Sequence, residues 1–76
     1  MESTIQTVRF GSCVVELSND SDLTTVVILE DGTEVASGQV DCYLLLTLFL
    51  AQHDIDFSPE SQADYEFRQA WNAAQI

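Results

Sequence analysis

The chain has 76 residues, of which 13 are Asp or Glu and two are Arg, with no lysine and a formal net charge of −11. Direct binding to DNA or RNA is excluded, because Arg9 and Arg68 cannot neutralise a run of phosphates, and an anionic membrane surface is excluded on the same ground. With 46% apolar residues the chain is too hydrophobic for an acidic disordered tail, so it is expected to fold as a single domain over 1–76.

The first half reads as strand. Residues 4–10 and 13–18 are rich in Thr, Val, Ile and Phe and are separated by Gly11-Ser12, a tight-turn pair. Cys13, Val15 and Leu17 alternate with Val14 and Glu16, which gives one face to bury. Ser18 to Asp22 is a run of turn formers and is expected to be a polar loop. Thr24–Glu30 and Thr33–Ser37 then flank Asp31-Gly32, the dipeptide preferred in a two-residue hairpin. That spacing sets Leu29 opposite Glu34 and Ile28 opposite Val35, with Val26, Ile28 and Val35 on the core face. Gly38 is expected to end the β half.

The second half reads as helix. Residues 39–52 are dominated by leucine, and Cys42, Leu45, Leu46, Phe49 and Leu50 share a broad face. Leu44 and Leu48 lie opposite it, so this helix needs cover on a second side, from another helix or from a second copy of the chain. Ser58 is the expected N-cap of a helix over 59–75, with Pro59 at its first position and Glu60 in its first turn. Its apolar stripe is Ala63, Phe67, Ala70, Trp71 and Ala74. The expected fold is α+β, a four-stranded antiparallel sheet (ββββ) followed by two helices packed on one face.

No constellation points to catalysis. His53-Asp54 offers a base and its orienting partner, but Cys13 and Cys42 sit in apolar sequence without basic neighbours to make a thiolate. No enzyme activity and no cofactor are expected. Asp54-Ile55-Asp56-Phe57-Ser58 imitates the start of a calcium loop, yet Pro59 and Tyr65 stand where that loop needs Gly and Glu, so no metal site is expected. No basic segment followed by an apolar one opens the chain, which leads to the expectation of a cytosolic protein with free, buried thiols. The stretch from Tyr43 to Ala51 is too short to span a bilayer.

What remains is the acid. The carboxylates group as Asp20/Asp22, Glu30/Asp31/Glu34, Asp54/Asp56 and Glu60/Asp64/Glu66. On a continuous helix Glu60 and Asp64 are about 6 Å apart, close to the roughly 7 Å between phosphates along a nucleic-acid strand. Tyr65 points away from the apolar stripe between two acids, a residue type favoured at protein interfaces. The expected partner is therefore a basic, nucleic-acid-binding protein, met by Glu30, Asp31, Glu34, Asp54, Asp56, Glu60, Asp64, Tyr65 and Glu66. Leu44 and Leu48 are candidates for a homodimer interface.

In size, charge and compactness the chain is similar to small phage-encoded inhibitors of host defence, such as anti-CRISPR and anti-restriction proteins, and to nuclease-neutralising immunity proteins. This likeness of physical type implies a nucleic-acid mimic that occludes its target. Separately, Phe67-Arg68-Gln69-Ala70 resembles the Tyr-Arg-Gln-Ala run in the terminal helix of phage tail-assembly chaperones, which implies an assembly role. That match covers only the last quarter of the chain, and the β-rich first half does not fit that family.

Overall fold

Short β-branched runs joined by two-residue turns build a meander, and the computed structural model, which describes residues 5–20 and 22–75, shows one. Strands β1 (Gln6–Phe10), β2 (Cys13–Asp20), β3 (Leu23–Glu30) and β4 (Thr33–Val40) form an antiparallel sheet in the order β1-β2-β3-β4. Helices α1 (Tyr43–Gln52) and α2 (Gln62–Ala74) follow. Val8, Val15, Leu17, Val26, Ile28 and Val40 on one sheet face join Leu46, Leu50, Phe67, Ala70 and Ala74 of the helices in one buried cluster. Both helices therefore cover the same face, α1 over β4 and α2 over β1 and β2. The fold class is the expected α+β arrangement.

Several boundaries differ from the sequence reading, each for a physical reason. Thr4, the expected start of the first strand, and Ser21 lie outside the described residues. The expected loop at Ser18–Asp22 is instead mostly strand, with Asn19 paired to Thr24 and Asp20 to Leu23. Gln75 locks this end: its amide donates to the buried Thr24 hydroxyl at 2.8 Å, and it accepts from Asn19 at 2.9 Å.

At the β3–β4 hairpin, Asp31 and Gly32 have φ of 53° and 82°, as a two-residue turn requires, and Leu29 pairs with Glu34 as expected. The register then shifts, and Ile28 pairs with Ala36 rather than with Val35. Val35 is the extra residue of a bulge; it is exposed and not part of the core. Without the bulge, Ser37 and Gln39 would face inward. With it, Ala36, Gly38 and Val40 do, since a one-residue slip exchanges the two faces.

Gly38 therefore does not end the β half but sits within β4, under α1. A Cβ there would stand 2.9 Å from Cε1 of Phe49, so glycine allows the close approach of helix to strand. Because Val40 is buried as strand, α1 begins at Tyr43 rather than near residue 39. Its C-terminus is closed by two backbone bonds, Asp54 N–H to Ala51 and Ile55 N–H to Leu50, with Ile55 folded onto Leu50 in the core. This is a Schellman arrangement with Asp54, at φ 65°, where glycine is usual.

Helix α2 begins later than expected. Ser58-Pro59-Glu60-Ser61 is a tight turn closed by Ser61 N–H on the Ser58 carbonyl at 3.2 Å, and Glu60 has φ 64°. Proline second and a left-handed residue third is the type II pattern. The N-cap is Ser61, whose Oγ accepts from Asp64 N–H at 3.2 Å. Ser58 is not a cap, and Glu60 is not in the helix.

Candidate protein-binding surface

The sheet meander brings the β1–β2 and β3–β4 turns to one end of the molecule, where the turn after α1 joins them. A cleft of about 470 Å³ there is lined by Phe10, Cys13, Glu30 and Val35 from the strands and by His53 and Asp54 from the end of α1. Two carboxylate groups far apart in sequence thus share one surface, with Asp31 and Glu34 continuing it along the hairpin and Asp56 following Asp54. All five carboxylates, Glu30, Asp31, Glu34, Asp54 and Asp56, are exposed. His53 packs its ring on Phe49 at 4.9 Å, which places it at the margin of this surface. Among the described residues, no three His, Cys, Asp or Glu side chains converge closely enough to hold a metal ion.

Asp64 departs from the expectation. It lies on the buried stripe of α2 with only 5% of its surface exposed, so it is unavailable to a partner. Its Oδ2 accepts from Glu60 N–H and from Arg68 Nε, both at 3.0 Å, and its Oδ1 accepts from the Tyr43 hydroxyl at 2.8 Å. The backbone N–H of Glu60 first, then the Tyr43 hydroxyl and the Arg68 guanidinium, hold its carboxyl below the usual range. Burial, and then the same carboxylate, push the Tyr43 phenol up. Bonded to Asp64, Arg68 is held more firmly protonated, and its guanidinium lies 4.6 Å from the Tyr43 ring centroid. Trp71 meets the same ring edge-on at 6.2 Å.

This constellation was legible only in part. Asp64 and Arg68 pair at i, i+4 on α2, a spacing that the sequence displays. Ser61-Gln62-Ala63-Asp64 carries the Ser-x-x-acid signature of a capped N-terminus, and Asp64 stands three and seven residues before Phe67 and Trp71 on the stripe. Nothing local marks Tyr43, whose link to Asp64 spans 21 residues.

The remaining candidates fall on other surfaces. Tyr65 is exposed, as expected, but with Glu66 it borders a shallow groove shared with Gln6, Thr7 and Arg9 of edge strand β1. Glu60 is exposed in the turn before α2 and does not form a helical i, i+4 row with Asp64. The nine expected partner-binding residues thus divide: Glu30, Asp31, Glu34, Asp54 and Asp56 at one end, Glu60 beyond them, Tyr65 and Glu66 on the β1 flank, and Asp64 inside.

Leu44 and Leu48 are 65% and 52% exposed. They form one wall of a groove of about 400 Å³ between α1 and the segment leading into α2, with Ile55, Phe57 and Pro59 across from them and Asp56 and Arg68 at its rim. α2 meets α1 at Tyr43 but leaves Leu44 and Leu48 exposed. The two cysteines are free; Cys13 is half-buried, whereas Cys42, expected to be buried, is exposed ahead of α1. Among the described residues no helix is long and apolar enough to cross a membrane.

No protein-family model, curated protein or solved structure matches the chain.

Proposed function

We propose that the chain is an acidic binding protein of the cytosol that occludes a basic, nucleic-acid-binding surface of a larger protein, using the end that carries Glu30, Asp31, Glu34, Asp54 and Asp56. The observation that carries this reading is the backbone beneath the charge. The three non-glycine residues with positive φ among the described residues are Asp31, Asp54 and Glu60, at 53°, 65° and 64°. All three are exposed carboxylates; Asp31 is a residue the hairpin turn favours, whereas Asp54 and Glu60 stand where glycine or asparagine would fit with less strain. Acid kept at a cost to stability is what a surface selected for its field looks like. Charge of one sign on this end steers a basic partner in and accelerates encounter, while the cleft between Phe10, Val35 and His53 supplies short-range contact.

The Phe67-Arg68-Gln69-Ala70 run lends the assembly reading no support, because Phe67 and Ala70 are core and Arg68 is bound to Asp64.

The test is capture of partners from host lysate by the tagged protein and by a Glu30→Gln, Asp31→Asn, Asp54→Asn variant, whose asparagines keep the turn geometry. The expected partner is a basic nucleic-acid-binding protein that duplex DNA or RNA displaces. Its affinity should fall at least about tenfold in the variant and again between roughly 50 and 500 mM salt. Capture indifferent to both salt and charge removal would overturn the proposal.

A further inference from the structure

A two-residue hairpin turn fixes which backbone groups of its strands face outward. Phe10 and Cys13 flank Gly11-Ser12 as the closing pair, and Gly11 has φ 61°, as the first turn residue of a type II′ hairpin requires. A closing pair exchanges both of its hydrogen bonds, and bonded pairs alternate along the ladder, so Val8 with Val15 and Gln6 with Leu17 are bonded too. Thr7 and Arg9 therefore aim their N–H and C=O away from β2, at the edge of the sheet. Among the described residues neither has a backbone partner there. Of the two edge strands, β4 is interrupted by the bulge at Val35, a device that blunts an edge, whereas β1 is regular and carries no carboxylate.

Helix α2 runs alongside this edge and makes it one wall of a groove of about 440 Å³. Gln6, Thr7, Val8 and Arg9 line that wall; consecutive strand residues belong to both faces of the sheet, so the edge itself opens into the groove. Tyr65, Gln69 and Ala73, a ridge of α2 at four-residue spacing, form the other wall. The strand is about 17 Å long and the ridge about 12 Å, room for roughly four extended residues. Unpaired donors and acceptors along a strand are matched by one thing, another extended backbone. We propose that the groove takes an extended segment of a partner protein, which adds to β1 as a fifth strand with alternate side chains against α2. Glu66, exposed on the α2 wall, selects a basic side chain on that side, and Arg9, alternating with the buried Val8, selects an acidic or polar one on the outer face. A net charge of −11 repels any segment that is acidic overall. A second copy fits less well: antiparallel pairing of β1 with β1 about a two-fold axis leaves both α2 helices on one face of the joined sheet, with Glu66 of each turned toward the other. This inference does not depend on the acidic end having a partner.

The experiment is selection of displayed random peptides of about twelve residues on the full chain, followed by calorimetry with the selected peptides made synthetically. Peptides alternating a basic residue with polar or β-branched ones are expected, binding in the micromolar range. Thr7→Pro removes an edge donor and spares the β1–β2 ladder, because proline is tolerated where a strand N–H faces outward; it should weaken binding at least about tenfold with an unchanged circular dichroism spectrum. N-methylation of the peptide needs no protein variant: methyl groups on one set of alternate residues should abolish binding, and on the other set should change it less than about twofold. Glu66→Lys should remove the preference for basic side chains, whereas Glu30→Gln/Asp31→Asn/Asp54→Asn should bind within about twofold of the parent chain at roughly 500 mM salt. In the free protein the Thr7 and Arg9 amides should exchange with solvent faster than those of Val8 and Phe10, and bound peptide should slow them. Peptides that bind Thr7→Pro as tightly as the parent chain, or that tolerate N-methylation at every position, overturn the proposal, as does a selection that yields no binder. Self-association lost on Thr7→Pro also overturns it and assigns the edge to a second copy.

Discussion

Glutamate is a poor residue for a backbone with positive φ, because its Cβ crowds the following carbonyl by about 1–2 kcal/mol. Glu60 at φ 64° carries that cost in full, and Asp54 at 65° carries less of it, since aspartate tolerates the left-handed region better. Glu60→Gly is therefore expected to stabilise the fold by about 1 kcal/mol, a rise in melting temperature of roughly 4–8 °C for a domain of this size. Asp54→Gly should gain less, and thermal denaturation at neutral pH checks both. Asp64 is the opposite case, a carboxylate that the fold needs. Its acidity is strengthened in the native state, so its contribution is complete above about pH 4, where the unfolded carboxyl ionises, and is lost as pH falls through its depressed value. Tyr43 contributes with the reverse sense: its phenol is held neutral, so that stability is present below about pH 10 and is lost as pH rises beyond it. Asp64→Asn is expected to lower the melting temperature at pH 7 and to flatten the acid limb between about pH 4 and 2. An unchanged acid limb would show that other carboxylates dominate it.

At the scale of elements, strand β4 and helix α1 are fitted to each other. The bulge at Val35 turns Ala36, Gly38 and Val40 toward the helix, and the absence of a side chain at Gly38 gives Phe49 its place. Gly38→Ala puts a methyl group 2.9 Å from the Phe49 ring, and it should cost about 1–2 kcal/mol by overpacking. Gly38→Ala/Phe49→Leu should recover part of that loss, so the two changes together are less than additive. Equal losses with and without the Phe49 change would locate the strain in the strand instead. Helix α2 is anchored differently, by polar links at both ends: Asp64 ties its first turn to Tyr43 and Arg68, and Gln75 ties its end to Thr24 and Asn19.

At the scale of the whole molecule, charge is unevenly distributed. The carboxylates of the β3–β4 turn and of the segment after α1 meet at one end, while α1 presents a neutral leucine face. A charge of −11 on 76 residues works against the compact state. Raising salt from about 50 to 500 mM should therefore raise the melting temperature by several degrees, measured by calorimetry at a fixed low protein concentration. A melting temperature insensitive to salt would mean that the carboxylates are too far apart to repel, which would also remove the basis for a concentrated acidic field.

Period and composition alone determined the number and kind of elements, because alternation in β1–β3 and the leucine and alanine content of α1 and α2 are local properties. The Asp31-Gly32 turn was equally legible, since its backbone conformation admits few residues. The bulge at Val35 was not, because only the approach of α1 decides which residues of β4 must be small. The fate of Asp64 was not legible either: it reads as part of a partner-binding acidic row until Tyr43, 21 residues away, is brought against it. Sequence spacing placed Glu60 and Asp64 in one helical row, whereas the type II turn at Pro59 separates them. Only the tertiary structure put Glu30 beside Asp54, because contacts between turns depend on how strands and helices stack rather than on any pattern along the chain.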